Sequence, residues 1–180
     1  MLILASASPT RAEILKAHGI DFIQQPTAAD EESITTRHPK SFVYLATRLK
    51  MAHAIEELGN DKPILCADTV VTARGEILRK ANSIEEARKT LMLQSGSETS
   101  IITCTIYHTP KLEYIDLSST VYDFAPFDAE HLDAYLESGE WEGKAGACMV
   151  EGFCKPYIRG VRGLESCAMG LTIEKLKPFL

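Results

Sequence analysis

The chain has 180 residues and a mass of 19.9 kDa, which suits one domain or two small lobes sharing a core and rules out a multi-domain assembly. Hydrophobic residues make up 45% and charged residues 24%, far from disordered, collagen-like or coiled-coil compositions. Lys and Arg number 19 against 25 Asp and Glu, and the net charge of −6 argues against a general nucleic-acid binder, which needs a basic face, but leaves room for a small anionic ligand held by a few local cations.

Residues 2–5 form a short apolar run that ends in Ser6-Ala7-Ser8-Pro9. Ser8 as N-cap and Pro9 at the first helical position predict a helix that Gly19 can end, so the opening reads strand, turn, helix. Residues 20–23 suit a second strand, and the acidic, Thr-rich stretch 26–37 reads as a mobile surface loop. From Pro39 to Gly59, Phe42, Leu45, Ala46, Leu49, Ala52 and Ile55 recur at helical spacing, with Lys50 beside that stripe. The run 64–71 is almost wholly apolar apart from Asp68-Thr69, as in a strand buried on both faces.

Arg74-Gly75 predicts a turn from which 76–80 returns as a hairpin. Ser83 with Glu86 three residues on is a capping box for a helix through about Leu93, broken by 94–97. The β-branched and aromatic runs 99–108 and 114–124 predict a long antiparallel pair. Asp128 should cap a helix through Leu136, ended by Ser138-Gly139. Residues 141–163 carry no clear periodicity; glycines at 143, 146, 152, 160 and 163 fit either tight backbone near a ligand or plain turns. The last segment, from about Leu171, reads as helical. With no repeat, linker or low-complexity tract, the whole predicts one α/β body with a mixed sheet.

Five cysteines without a CxxC pair signal neither a disulfide framework nor a zinc site, and reduced thiols suit a cytoplasmic protein. The start lacks the basic segment of a secretory signal, and no apolar run approaches membrane-spanning length. The five histidines show no metal-ligand spacing.

Asp68 is the sharpest clue to chemistry, because a carboxylate in an apolar strand is costly unless a cation or hydrogen bonds compensate it. Two readings stand: the strand ends near Ala67 and Asp68 caps a turn, or Asp68 is a metal ligand or general base at the carboxyl end of a strand. The free N–H groups where Ser6–Arg11 enters the helix can seat a phosphate, with Arg11 as a planar clamp, although a simple cap with a surface arginine explains the same residues. Lys50 and Lys80 are surface lysines by default; hairpin pairing is what could bring Lys80 toward Asp68. Glu31 sits in a solvated acidic loop, while Glu151 is a carboxylate among apolar neighbours.

Together these residues resemble the Maf family, or septum formation proteins, which are nucleoside triphosphate pyrophosphatases. Ser6-Ala7-Ser8-Pro9-Thr10-Arg11 is similar to the family's S-x-S-P-R-R opening. The match continues in register through Asp30-Glu31, Lys50, Ala67-Asp68-Thr69-Val70-Val71, Gly75-Glu76 and Lys80. Lys144-Ala145-Gly146-Ala147, Glu151-Gly152, Gly163 and Gly170-Leu171 complete it over essentially the whole chain.

The resemblance implies a two-lobed, mixed-sheet α/β fold with a central cleft, similar to inosine triphosphatases. It implies hydrolysis of a nucleoside triphosphate to monophosphate and diphosphate, with Asp68 as general base. The implied substrate-binding set is Ser6, Ser8, Arg11, Lys50 and Lys80, and Asp68, Glu31 and Glu151 would hold Mg²⁺ or Mn²⁺. A nucleotide substrate is the implied partner, with no nucleic acid or membrane and a homodimer left open.

The chain departs from the family pattern at Thr10, Ala81, Cys148-Met149, Glu151 and Thr172, which bears on rate and base preference more than on reaction class. Two competing readings are a nucleotide-sensing cell-division protein that keeps the pocket with weak or no catalysis, and a phosphohydrolase of another phosphorylated metabolite.

Overall fold

A computed structural model describes residues 1–27, 29 and 33–180. Its strands are β1 (Leu2–Leu4), β2 (Phe22–Gln24), β3 (Ile64–Ala73), β4 (Glu76–Leu78), β5 (Glu98–Thr109), β6 (Leu112–Phe124) and β7 (Ile158–Arg162). Its helices are α1 (Pro9–Ala17), α2 (Pro39–Leu58), α3 (Ile84–Gln94), α4 (Ala129–Ser138), α5 (Glu165–Ala168) and α6 (Ile173–Leu176). The strands form one mixed sheet in the order β2-β1-β3-β5-β6-β7, with β4 paired to β3. The α/β mixed-sheet expectation therefore holds. The chain divides into two compact units: residues 1–69, 102–119 and 164–180, and residues 70–101 and 120–163.

In the first unit β1 lies parallel to both β2 and β3, with Leu2 opposite Phe22 and Leu4 opposite Leu65. Alternation along these strands sends Leu2, Leu4, Leu65 and Ala67 into one cluster with Ala12, Ile14 and Leu15 of α1 and Ile173 and Leu176 of α6. Ser8 caps α1 as expected, its Oγ accepting from the Arg11 N–H.

One expectation shifts. The buried row of α2 is Phe42, Val43, Ala46, Thr47, Met51 and Ala54, while Leu45 is exposed. Thr47 can enter the core because its hydroxyl donates to the Val43 carbonyl at 2.7 Å, and that offset puts Lys50 in line with Val43, Thr47 and Ala54. The segment from Leu171 is helical as expected, as α6 and a 3₁₀ turn at Lys177–Phe179.

Cys104 on β5 is fully buried, and burial pushes its thiol up to about 11 from the ordinary 9.0, against a smaller opposing effect of its hydrogen bond with Thr47. The folded chain thus holds this proton more tightly than the unfolded chain, so its contribution to stability is intact below pH 9 and is lost as the pH rises toward about 11. The melting temperature is expected to fall across that window less steeply in Cys104→Ala than in the parent, as followed by circular dichroism.

In the second unit Arg74 (φ 51°) and Gly75 (φ 82°) make the two-residue turn between β3 and β4. Ser83 Oγ accepts from the Glu86 N–H at 3.2 Å, and Glu86 returns to the Asn82 N–H at 2.8 Å, one residue earlier than a standard capping box. Asp128 caps α4 through the His131 N–H, and Gly139 ends it in the left-handed region. The unassigned stretch resolves into turns, a 3₁₀ turn at Lys155–Tyr157 and β7, which pairs antiparallel with β6. Phe153 stacks on Tyr135 and packs edge-on to Phe127.

Gly146 takes φ +66°, and a Cβ there would lie 2.9 Å from Val71 Cγ1. Its carbonyl accepts from Gln94 Nε2 at 2.7 Å and its N–H donates to the Arg79 carbonyl at 3.1 Å. Gly146→Ala is therefore expected to cost about 2–4 kcal/mol of stability, from backbone strain plus overpacking, as measured by urea unfolding.

Candidate active site

The turn after β1 and the first turn of α1 carry the cationic side chain that the opening motif singled out. Ser6 Oγ accepts from the Ser8 N–H at 3.2 Å, and Gln24 Nε2 on β2 donates to the Ser6 carbonyl at 2.8 Å. Arg11 is half-buried, and three of its N–H groups are committed within the protein. Nε donates to the Gly170 carbonyl at 2.8 Å, Nη1 to Ser6 Oγ at 3.0 Å and Nη2 to Thr69 Oγ1 at 3.2 Å. A guanidinium has five such hydrogens, so two remain for a ligand, in a fixed plane. Burial draws the Arg11 guanidinium below its ordinary value, and the Asp68 charge opposes that shift.

Asp68 lies inside β3, which continues five residues beyond it to Ala73, so neither the turn-cap reading nor a place at the strand's carboxyl end holds. Its Oδ1 accepts from Lys50 Nζ of α2 at 2.6 Å, with the two side chains 14% and 22% exposed. That partial burial sets the pair apart from surface ion pairs, because less water screens it. The carboxylate in the apolar run is thus compensated by a cation carried on the neighbouring helix, and Oδ2 lies outside that bond. Alternation explains the division of labour: Thr69 faces α1 and meets Arg11, while Asp68 faces α2 and meets Lys50. Cys66, two residues before Asp68 and buried, is pushed up to about 12 by burial, with Lys50 and Arg11 opposing.

Of the other expected residues, Ser8 serves as the α1 cap. Lys80 belongs to the second unit, is exposed, and forms an isolated antiparallel bridge with Ala145. Glu151 is exposed in the segment 148–154, where a Cβ on Gly152 would meet only the flexible Met149 side chain. In that segment Cys148 Sγ and Cys154 Sγ lie 3.1 Å apart as thiols, a proximity their six-residue separation did not announce. Glu31 lies outside the described residues. Among the described residues no group of three His, Cys, Asp or Glu could hold a metal ion, and no helix is long and apolar enough to cross a membrane. Gln24, Thr69, Thr103 and Gly170 escaped sequence reasoning as site residues, although Thr69 and Gly170 stand inside the matched motifs.

The Maf-like protein family model matches residues 1–180. The chain belongs to the Maf-like family. This Maf-like chain is 54% identical over 178 residues, 98% of its length and 96% of the relative's, to a protein of a Nitratiruptor species named nucleoside triphosphate pyrophosphatase. A Helicobacter pylori protein of the same name is 42% identical over 175 residues, covering 97% of this chain and 92% of that one. Among solved structures, the Staphylococcus aureus Ham1 protein superposes with a TM-score of 0.50 at 14% identity, over 69% of this Maf-like chain and 71% of the other. At that identity the likeness speaks for the fold alone.

Proposed function

We propose that this Maf-like chain is a cytoplasmic nucleoside triphosphate pyrophosphatase, releasing diphosphate from a nucleoside triphosphate and leaving the monophosphate. The observation that carries the reading is that neighbouring residues of β3 engage the two groups: Asp68 is paired with Lys50, and Thr69 accepts from Arg11, a guanidinium held at three points. The curated relatives named for this activity support it.

Cleavage between the α- and β-phosphates needs a water aimed at phosphorus and positive charge where the departing diphosphate gathers electrons. In this reading Asp68 accepts the proton of that water as general base. Arg11 directs its two uncommitted N–H groups at phosphate oxygens, and because its plane is already fixed, little reorganisation is needed as charge develops. The N–H groups at the start of α1 add a partial positive charge facing the same anion. Lys50 offsets the charge of Asp68 in the absence of ligand. Lys80 as a phosphate ligand, and Glu31 and Glu151 beside the metal, belong to the proposal on the strength of the resemblance.

The donor set fits a divalent cation of the Mg²⁺ type, which usually takes one or two carboxylates together with substrate phosphates rather than a cage of protein ligands. Asp68 offers a carboxylate oxygen outside its lysine bond. When bound, such an ion supplies further charge against the phosphate oxygens.

The test is a panel of common and modified nucleoside triphosphates incubated with the purified chain and Mg²⁺, with diphosphate and monophosphate quantified. Stoichiometric release of both is expected. Binding without release points to a nucleotide sensor, and triphosphates left neither bound nor cleaved would end the reading.

A further inference from the structure

Thr103 is fully buried on β5, contributes nothing to the matched motifs, and sits one bond away from the Arg11 clamp. Its hydroxyl donates to the Cys167 carbonyl at 2.8 Å, which uses its single proton. The 2.8 Å contact between Thr103 Oγ1 and Thr69 Oγ1 must then be donated by Thr69. With its own proton committed to Thr103, Thr69 can present only lone pairs to Arg11, which is what Arg11 Nη2 meets at 3.2 Å. The circuit closes through the backbone: the Gly170 N–H donates to the same Cys167 carbonyl at 3.0 Å, and the Gly170 carbonyl accepts from Arg11 Nε at 2.8 Å. Gly170 is needed at that corner, because at φ +97° a Cβ would stand 3.2 Å from Thr69 Oγ1 and 3.4 Å from Arg11 Nε.

We propose that Thr103 is a positioning residue for phosphate binding: by fixing the direction of the Thr69 hydroxyl it locks the plane of Arg11, so that the two uncommitted N–H groups of the guanidinium face a polyphosphate. The proposal rests on the reading of Arg11 as a phosphate clamp. Replacing Thr103 by Val keeps shape and removes the acceptor for the Thr69 proton, so Thr69 is free to turn a donor toward a cation and the clamp loosens. Replacing it by Ser keeps the hydroxyl.

The experiment has two arms. In the first, the Arg11 side-chain Nε–H is followed by ¹⁵N NMR in the protein without nucleotide. Its exchange with water is expected to be slow in the parent and in Thr103→Ser, and at least tenfold faster in Thr103→Val. In the second, kcat/KM for a nucleoside triphosphate with Mg²⁺ is measured for Thr103→Val in the parent and in an Arg11→Lys background. A loss of about 5- to 20-fold, mainly in KM, is expected in the parent background and almost none where the fork is already gone. Equal Nε–H exchange in all three proteins, or the same loss in both backgrounds, would overturn the proposal by reducing Thr103 to ordinary packing. Absence of hydrolysis by the parent itself would count against the pyrophosphatase reading, and the NMR arm would still decide the role of Thr103.

Discussion

Asp68→Asn is expected to lower kcat by about 10²–10⁴ while leaving the fold in place. Asparagine keeps the shape of the side chain and an oxygen for Lys50 Nζ, so β3 and α2 lose an ion pair but neither gains a cavity nor a clash. What disappears is a group able to take a proton from water near neutral pH. The measurement is diphosphate release at saturating nucleotide, with circular dichroism and the melting temperature as the control on folding. Turnover within a few-fold of the parent would remove Asp68 from the general-base role. Its contact with Lys50 would then be a device for tolerating a carboxylate in an apolar strand.

Arg11→Ala should lower kcat/KM by about 10²–10³, the scale seen when a charge-stabilising donor is removed. This substitution also leaves the Gly170 carbonyl without its side-chain donor, which costs on the order of 1–3 kcal/mol, while Ser6 Oγ keeps the Ser8 N–H and Thr69 Oγ1 keeps Thr103. Arg11→Lys separates the two effects. It restores a positive charge but not a planar fork, so only a fraction of the activity should return. Full recovery with lysine would show that point charge suffices and that the three-point anchoring is structural. Urea unfolding of both variants, set beside their kinetics, distinguishes weakened folding from weakened phosphate binding.

Much of the fold was legible because its signals are local. Ser8-Pro9, Ser83 with Glu86, and Asp128 announce helix starts through bonds that span three residues, and each is made. Arg74-Gly75 announces its turn because the required backbone angles favour a few residue types. The errors fall where a choice depends on what lies opposite. The apolar row of α2 was misplaced by about one residue because Thr47 reads as polar until its hydroxyl is seen bonded to Val43. The strand through Asp68 ran on because Lys50 meets the carboxylate, and the sequence cannot say which cation arrives.

The candidate site divides in the same way. Arg11, Lys50 and Asp68 could be nominated from residue type, motif order and the oddity of a charge in an apolar run, and the family resemblance, later shown by the match over residues 1–180, joined them to Ser6, Lys80, Glu31 and Glu151. Lys80, on the return strand of the predicted hairpin, bridges Ala145 through its backbone. Gln24 and Thr103 carry no local mark of a site.

From the order of its residues alone, then, this protein's helix starts, its buried strand, its α/β class and its family resemblance could be told, because caps, turns and periodicity act over a few positions along the chain. Tertiary structure alone decided that Arg11 meets Gly170, 159 residues away, and Thr69, 58 away, and that a buried threonine closes the circuit behind them. Those partners are set by how strands align and helices seat on the sheet, a balance of packing over the whole chain that no short stretch of sequence records.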